Sequence, residues 1–175
     1  MNLPLPEGTS RRMVATTARR RGWVAGLVAA LLLAMLVALG PRGAQQAGVD
    51  PEATPPLPAA LAALPEHLAQ RERQVAGLIP GTEKQVVFGP AGPVQAEWAV
   101  VYLHGFSASR QELAPLPEDV ARGLGAHYHA ARLTGHGSGS AAMATGSVAA
   151  WKGDALEALA IGRRLGRRVL VIGVS

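Results

Sequence analysis

The chain of 175 residues is 49% hydrophobic and 17% charged, which allows one domain with a buried core. Its formal charge is +5, but residues 1–42 hold six of the 17 basic residues and one of the 12 acidic ones, so that segment carries the whole excess. A basic face suited to nucleic acid is thereby excluded, and the lack of cysteine excludes disulfides, thiolate metal sites and a lipidated N-terminal cysteine.

Residues 1–21 read as a basic tail that ends in Arg19, Arg20 and Arg21. Residues 22–40, "GWVAGLVAALLLAMLVALG", hold no charge. As a helix rising about 1.5 Å per residue they match the ~30 Å hydrocarbon core of a bilayer. Trp23 takes the position of an interfacial aromatic. The arginines predict a cytoplasmic N-terminus and an extracytoplasmic remainder, anchored by one pass in a bacterial-type inner membrane. A cleaved signal peptide is the rival. Its apolar region would be shorter, and Pro41 stands where cleavage is wanted, so an uncleaved signal anchor is preferred.

Residues 41–58, with Pro51, Pro55, Pro56 and Pro58, read as a linker. Residues 59–80 carry Leu61, Leu64, Leu68, Val75 and Leu78 near helical spacing, a helical lead-in that Pro65 divides. A domain is expected over residues 81–175. Residues 84–88 predict a short strand and residues 98–103 a continuous apolar one, closed by His104, Gly105 and Phe106. "SRQE" at 109–112 fits a capping box, with Ser109 as cap and Glu112 three residues on. Pro117, Glu118 and Asp119 predict another helix start. Residues 127–133 are the next strand, and "TGHGSGS" is a loop. Val148, Trp151, Ala155, Leu159, Gly162 and Leu165 make one face of a helix over 148–165. "VLVIG" is the closing strand, and Gly173-Val174-Ser175 follows at its end. Strands alternating with helices predict a parallel α/β sheet with covering helices. Continuous apolar strands such as "VLVIG" fit burial on both faces. Ligands in such sheets bind at the carboxyl ends of the strands, where His104–Phe106 and Gly173–Ser175 are expected.

Taken together, "VVYLHGFSAS", "RLTGHGSGS", a helix with Trp151 and Asp154, and "VLVIGVS" resemble the N-terminal half of an α/β-hydrolase domain. The resemblance covers roughly residues 84–175 and is strongest to serine esterases of the monoglyceride-lipase-like or lysophospholipase-like kind. Gly173, Val174 and Ser175 match the first three positions of that family's Gly-x-Ser-x-Gly turn; the last two lie beyond residue 175. The resemblance implies hydrolysis of a carboxylic or lipid ester through an acyl-serine, with no cofactor and no obligate protein partner. It implies Ser175 as nucleophile and the Phe106 backbone N–H as an oxyanion donor. Gly105 would leave room for close approach, and His104 would shape the loop without acting as base.

The chemistry of these positions stands without the family. A serine hydroxyl needs a histidine base within about 2.6–3.2 Å. A tight strand-to-helix turn with small neighbours lifts it clear of the sheet. Losing one oxyanion donor costs about 10²–10³ in rate. In this fold the order is Ser, acid, His, so Asp154 is expected to be structural, and the acid and base to follow Ser175. The 175 residues are accordingly expected to be a fragment that stops at its nucleophile and is inactive by itself. A non-enzymatic, membrane-tethered module on the same scaffold is the alternative. His127, His129 and His136 invite a metal reading, but no carboxylate cluster joins them. Trp151 is expected in the core, and "RRLGRR" (163–168) as a solvated helix end.

Overall fold

The computed structural model describes residues 10–39 and 55–175. The tail over residues 1–9 and the linker over 41–54 lie outside the described residues, and residues 55–58 have no regular structure. The chain splits into two compact units, Met1–Gln45 and Gln46–Ser175.

The first unit contains one helix, α1, Ser10–Leu39. Its described side chains, Trp23 and residues 26–39, are exposed. Among the described residues no helix is long and apolar enough to cross a membrane, so a span over 22–40 is not borne out. Residue 40 and the side chains of residues 22, 24 and 25 lie outside the described set.

The second unit is a mixed α/β sheet with helices on both faces. In chain order it contains a 3-10 turn at Leu61–Ala63, α2 (Leu64–Glu72), β1 (Gln85–Val87), β2 (Ala96–Leu103), α3 (Leu116–Gly123), β3 (His127–Ala130), a 3-10 turn at Ser140–Thr145, α4 (Val148–Leu165) and β4 (Gly166–Gly173). The sheet order is β1-β3-β2-β4. β2 pairs with β3 and with β4 in parallel, whereas β1 pairs with β3 antiparallel. The all-parallel expectation therefore fails at β1. A three-residue strand carries no sequence signal for its direction; pairing with β3 sets it.

Residues of β2 alternate between two cores, as period-2 geometry requires. Ala99 joins Leu64, Leu68, Ile161 and Leu165, the side of α2 and α4. Val100 and Tyr102 join Ala121 and Tyr128, the side of α3. Val100 and Val101 are fully buried, each worth about 1.5–3 kcal/mol against exposure. β4 is an edge of the sheet, and Val171 is 42% exposed, so "VLVIG" is not covered on both faces by the described residues.

The lead-in divides at Pro65: the 3-10 turn ends at Ala63 and α2 begins at Leu64 with the proline in its first turn, where it is tolerated. α3 begins at Leu116 with Pro117 in its first turn, and Ser147 caps α4 by accepting the Ala150 N–H at 3.1 Å. "RRLGRR" is not one helix end: α4 stops at Leu165, and Arg167 and Arg168 belong to β4. There Arg168 lies 5.3 Å over the Trp98 ring and 3.2 Å from Glu97. Gly166 allows this immediate helix-to-strand reversal. A Cβ there would stand 2.4 Å from the Ala99 nitrogen.

Candidate active site

The carboxyl ends of β2, β3 and β4 lie side by side. Leu103 is in register with Gly173, and the Val174 N–H donates to the Leu103 carbonyl at 3.1 Å. On the other flank the Ala131 N–H donates to the Tyr102 carbonyl at 3.0 Å. These bonds bring three segments to one end of the sheet: the turn 104–107 after β2, the loop 133–137 after β3, and Val174-Ser175 after β4.

His104 is 2% exposed. Its Nε2 accepts the Leu133 N–H at 3.1 Å, so Nδ1 carries the proton and donates to the Gly105 carbonyl at 2.9 Å. Burial, above all, holds this imidazole below its ordinary pKa, which keeps it neutral. With both nitrogens engaged in backbone bonds, His104 joins two loops and has no free nitrogen to serve as base.

Gly105 is close to two side chains, Glu112 and Val174. A Cβ would sit 3.2 Å from Glu112 Oε1 and 3.2 Å from Val174 Cγ1. The Gly105 N–H donates to Glu112 Oε2 at 2.9 Å, and the Tyr102 hydroxyl donates to the same oxygen at 3.2 Å. Burial first, then the hydrogen bond to Glu112, pushes the Tyr102 hydroxyl up to about 12. Residues 109–112 form no helix, so the expected capping box is absent. The Glu112 carboxylate anchors the turn after β2 instead. Nothing in its local sequence distinguishes this role, since its partners lie seven and ten residues back.

Phe106 is 70% exposed. Its ring packs edge-on against His136 and Trp151, at 5.9 Å from each. Ser107 takes φ +63, uncommon for a non-glycine residue, and its N–H donates to His136 Nε2 at 3.0 Å. Trp151 is half-buried, and its Nε1–H donates to the Thr134 carbonyl at 2.9 Å. It bridges core and site instead of lying wholly in the core. Ser175 is exposed beyond Val174, and a Cβ at Gly173 would meet open space. The described residues therefore impose no steric need for glycine at 173.

Asp154 accepts the Thr134 N–H at 2.6 Å and lies 3.7 Å from Lys84 Nζ. Lys84 and Arg71 both pair with Glu157. Burial pulls that carboxyl upward, but the Lys84 and Arg71 charges outweigh it and hold it below its ordinary value. Arg132 grips Glu72 with two bonds, 2.6 and 2.9 Å. These pairs fix the loop after β3 to α2, β1 and α4. Sequence reading missed them because their partners come from three distant segments.

The three other histidines named with the metal reading do not converge. His127 accepts the Gly89 N–H at Nδ1 (2.8 Å) and faces the Val94 carbonyl with Nε2 (2.7 Å). His129 is fully buried against the Gln85 carbonyl. His136 stands at the opposite end of β3. Among the described residues no group of three or more side chains could hold a metal ion.

Neither a family model nor a curated protein matches the chain. Among solved structures, one similar chain comes from work on LipS and LipT, two metagenome-derived lipolytic enzymes that increase the diversity of known lipase and esterase families. It is 30% identical with a TM-score of 0.48, over 56% of this chain and 37% of that chain.

Proposed function

We propose that this chain carries the nucleophile and oxyanion segments of a serine ester hydrolase acting on carboxylic or lipid esters. The observation that supports the reading is the Leu103–Gly173 register with its 3.1 Å Val174 N–H bond. It sets Ser175 at the same sheet end as the turn that holds the Phe106 N–H.

In this mechanism the Ser175 Oγ attacks the ester carbonyl carbon while a histidine base takes its proton. The carbonyl oxygen gains negative charge and is met by the Phe106 N–H and the N–H of the residue after the nucleophile. The tetrahedral centre collapses, the bond to the alkoxy oxygen breaks, and the base returns the proton to the leaving alcohol. Water then attacks the acyl-serine by the same path, releasing the acid and restoring the hydroxyl. The base and its carboxylate follow the nucleophile in this chain order. Asp154 is committed to Thr134 and Lys84, and His104 to two backbone groups.

The test is labelling by a fluorophosphonate probe of the protein expressed from its full reading frame, beside Ser175→Ala. Labelling is expected to vanish in the variant; equal labelling of both would overturn the assignment.

A further inference from the structure

Two histidines at this site exchange the same service. His104, on the turn after β2, accepts the Leu133 N–H from the loop after β3. His136, on the loop after β3, accepts the Ser107 N–H from the turn after β2. Each bond uses Nε2, and each spans 29 residues of chain. The two rings lie 4.9 Å apart between centroids.

We propose that His136 is the positioning residue for the Phe106 oxyanion donor: its Nε2 holds the Ser107 N–H and thereby fixes the 104–107 turn against the loop after β3. The inference rests on the ester-hydrolase reading above. Ser107 occupies the left-handed region at φ +63, which costs a non-glycine residue energy and persists only where neighbours hold it. The neighbour is His136 Nε2 at 3.0 Å. That acceptor requires the tautomer with its proton on Nδ1, which faces the Thr134 carbonyl at 3.2 Å. The Thr134 carbonyl also takes the Trp151 Nε1–H, and the Thr134 N–H is held by Asp154. The tautomer is thus braced from α4.

The ring itself cannot swing. It is 2% exposed and packs on His104, Phe106 and Trp151. A leucine or phenylalanine would fill this space, but neither could accept the Ser107 N–H. The Ser107 N–H lies in the Phe106–Ser107 peptide, next to the Gly105–Phe106 peptide that presents the Phe106 N–H, so a release of Ser107 frees the Phe106 backbone dihedrals and with them the direction of that donor. His136 touches no reacting atom in this account; it acts through Ser107.

The effect falls on the transition state, because the donor meets an oxyanion that forms only there. Displacing a reacting group by about 1 Å can cost about 10²-fold in rate. The full-reading-frame protein and its His136→Leu, His136→Asn and His136→Gln variants are compared on a p-nitrophenyl ester, with the folded fraction checked by circular dichroism. Glutamine places an acceptor near Nε2; asparagine reaches only the Nδ1 position. His136→Leu and His136→Asn are expected to lose about 10²-fold in kcat with KM within about twofold. His136→Gln is expected to restore most of that loss. A purely structural role would move all three alike or shift KM. If His136→Leu fails to fold, the Asn and Gln pair decides, and equal kcat for those two overturns the inference. Retention of kcat by His136→Leu also overturns it, while loss of labelling in Ser175→Ala leaves the parent reading standing. Labelling that survives Ser175→Ala sinks the parent reading itself.

Discussion

His129 offers a quantitative test of how burial governs this domain. The side chain is fully buried on β3, with Val86 of β1 and Val101 of β2 as its cross-strand partners. Nδ1 lies 2.9 Å from the Gln85 carbonyl and must donate to it, while Nε2 has no partner. Burial pushes the pKa from 6.5 down to about 4. Between these values the unfolded chain binds a proton that the folded chain refuses, so stability falls as pH falls. Each pH unit is worth about 1.4 kcal/mol per proton, so the site removes about 3 kcal/mol between pH 6.5 and 4. For a domain this size that is a large share of the ~5–15 kcal/mol expected in total. His129→Asn keeps a donor for the Gln85 carbonyl and removes the titration. Urea unfolding of both proteins at several pH values from 7 to 4 gives the slopes. The variant is expected to be less stable than the native protein near pH 7 by an amount that shrinks as pH falls, so its slope should be shallower by up to one proton. His104, also held low by burial, contributes to both proteins and cancels in the comparison. Parallel slopes would refute the reasoning.

Two further outcomes are expected. In Glu112→Gln the Tyr102 hydroxyl keeps its burial but loses its anionic neighbour, so its pKa should drop below about 12 in an ultraviolet difference titration; an unchanged value would show that Glu112 does not hold it. Arg132→Met leaves the Glu72 carboxylate buried without its two guanidinium bonds, and should cost about 3–5 kcal/mol in urea unfolding. Adding Glu72→Met should recover much of that loss, and a single-variant cost below about 1 kcal/mol would contradict the role given to this pair.

The legible parts of the sequence were those written in local period and punctuation. The periodicity of residues 148–165 predicted the bounds of α4 but only part of its buried face: Gly162 and Leu165 are buried as expected, whereas Val148 is exposed and Glu157, Ala158 and Ile161 are buried. The continuous run before His104 predicted β2, which the structure begins two residues earlier, at Ala96. Glu112 was misread for the same local reason. Ser109 and Glu112 have the spacing of a cap, but the carboxylate follows the Gly105 N–H and the Tyr102 hydroxyl into a stronger set of bonds. A free choice between a cap and a buried backbone donor favours the donor, whose desolvation would otherwise go uncompensated.

The sequence by itself therefore determined most of the strand and helix segments, though not the absence of a helix at 109–112, and that His104–Phe106 and Gly173–Ser175 end two of the strands. Periodicity and turn chemistry act over a few residues, and a single chain displays them. Only the tertiary structure decided that β1 runs antiparallel and that His104 and His136 each hold the other's loop. Those outcomes depend on the register of β2 against β3 and β4. That register is fixed by side chains packing on both faces of the sheet, and it brings together groups that no local pattern relates.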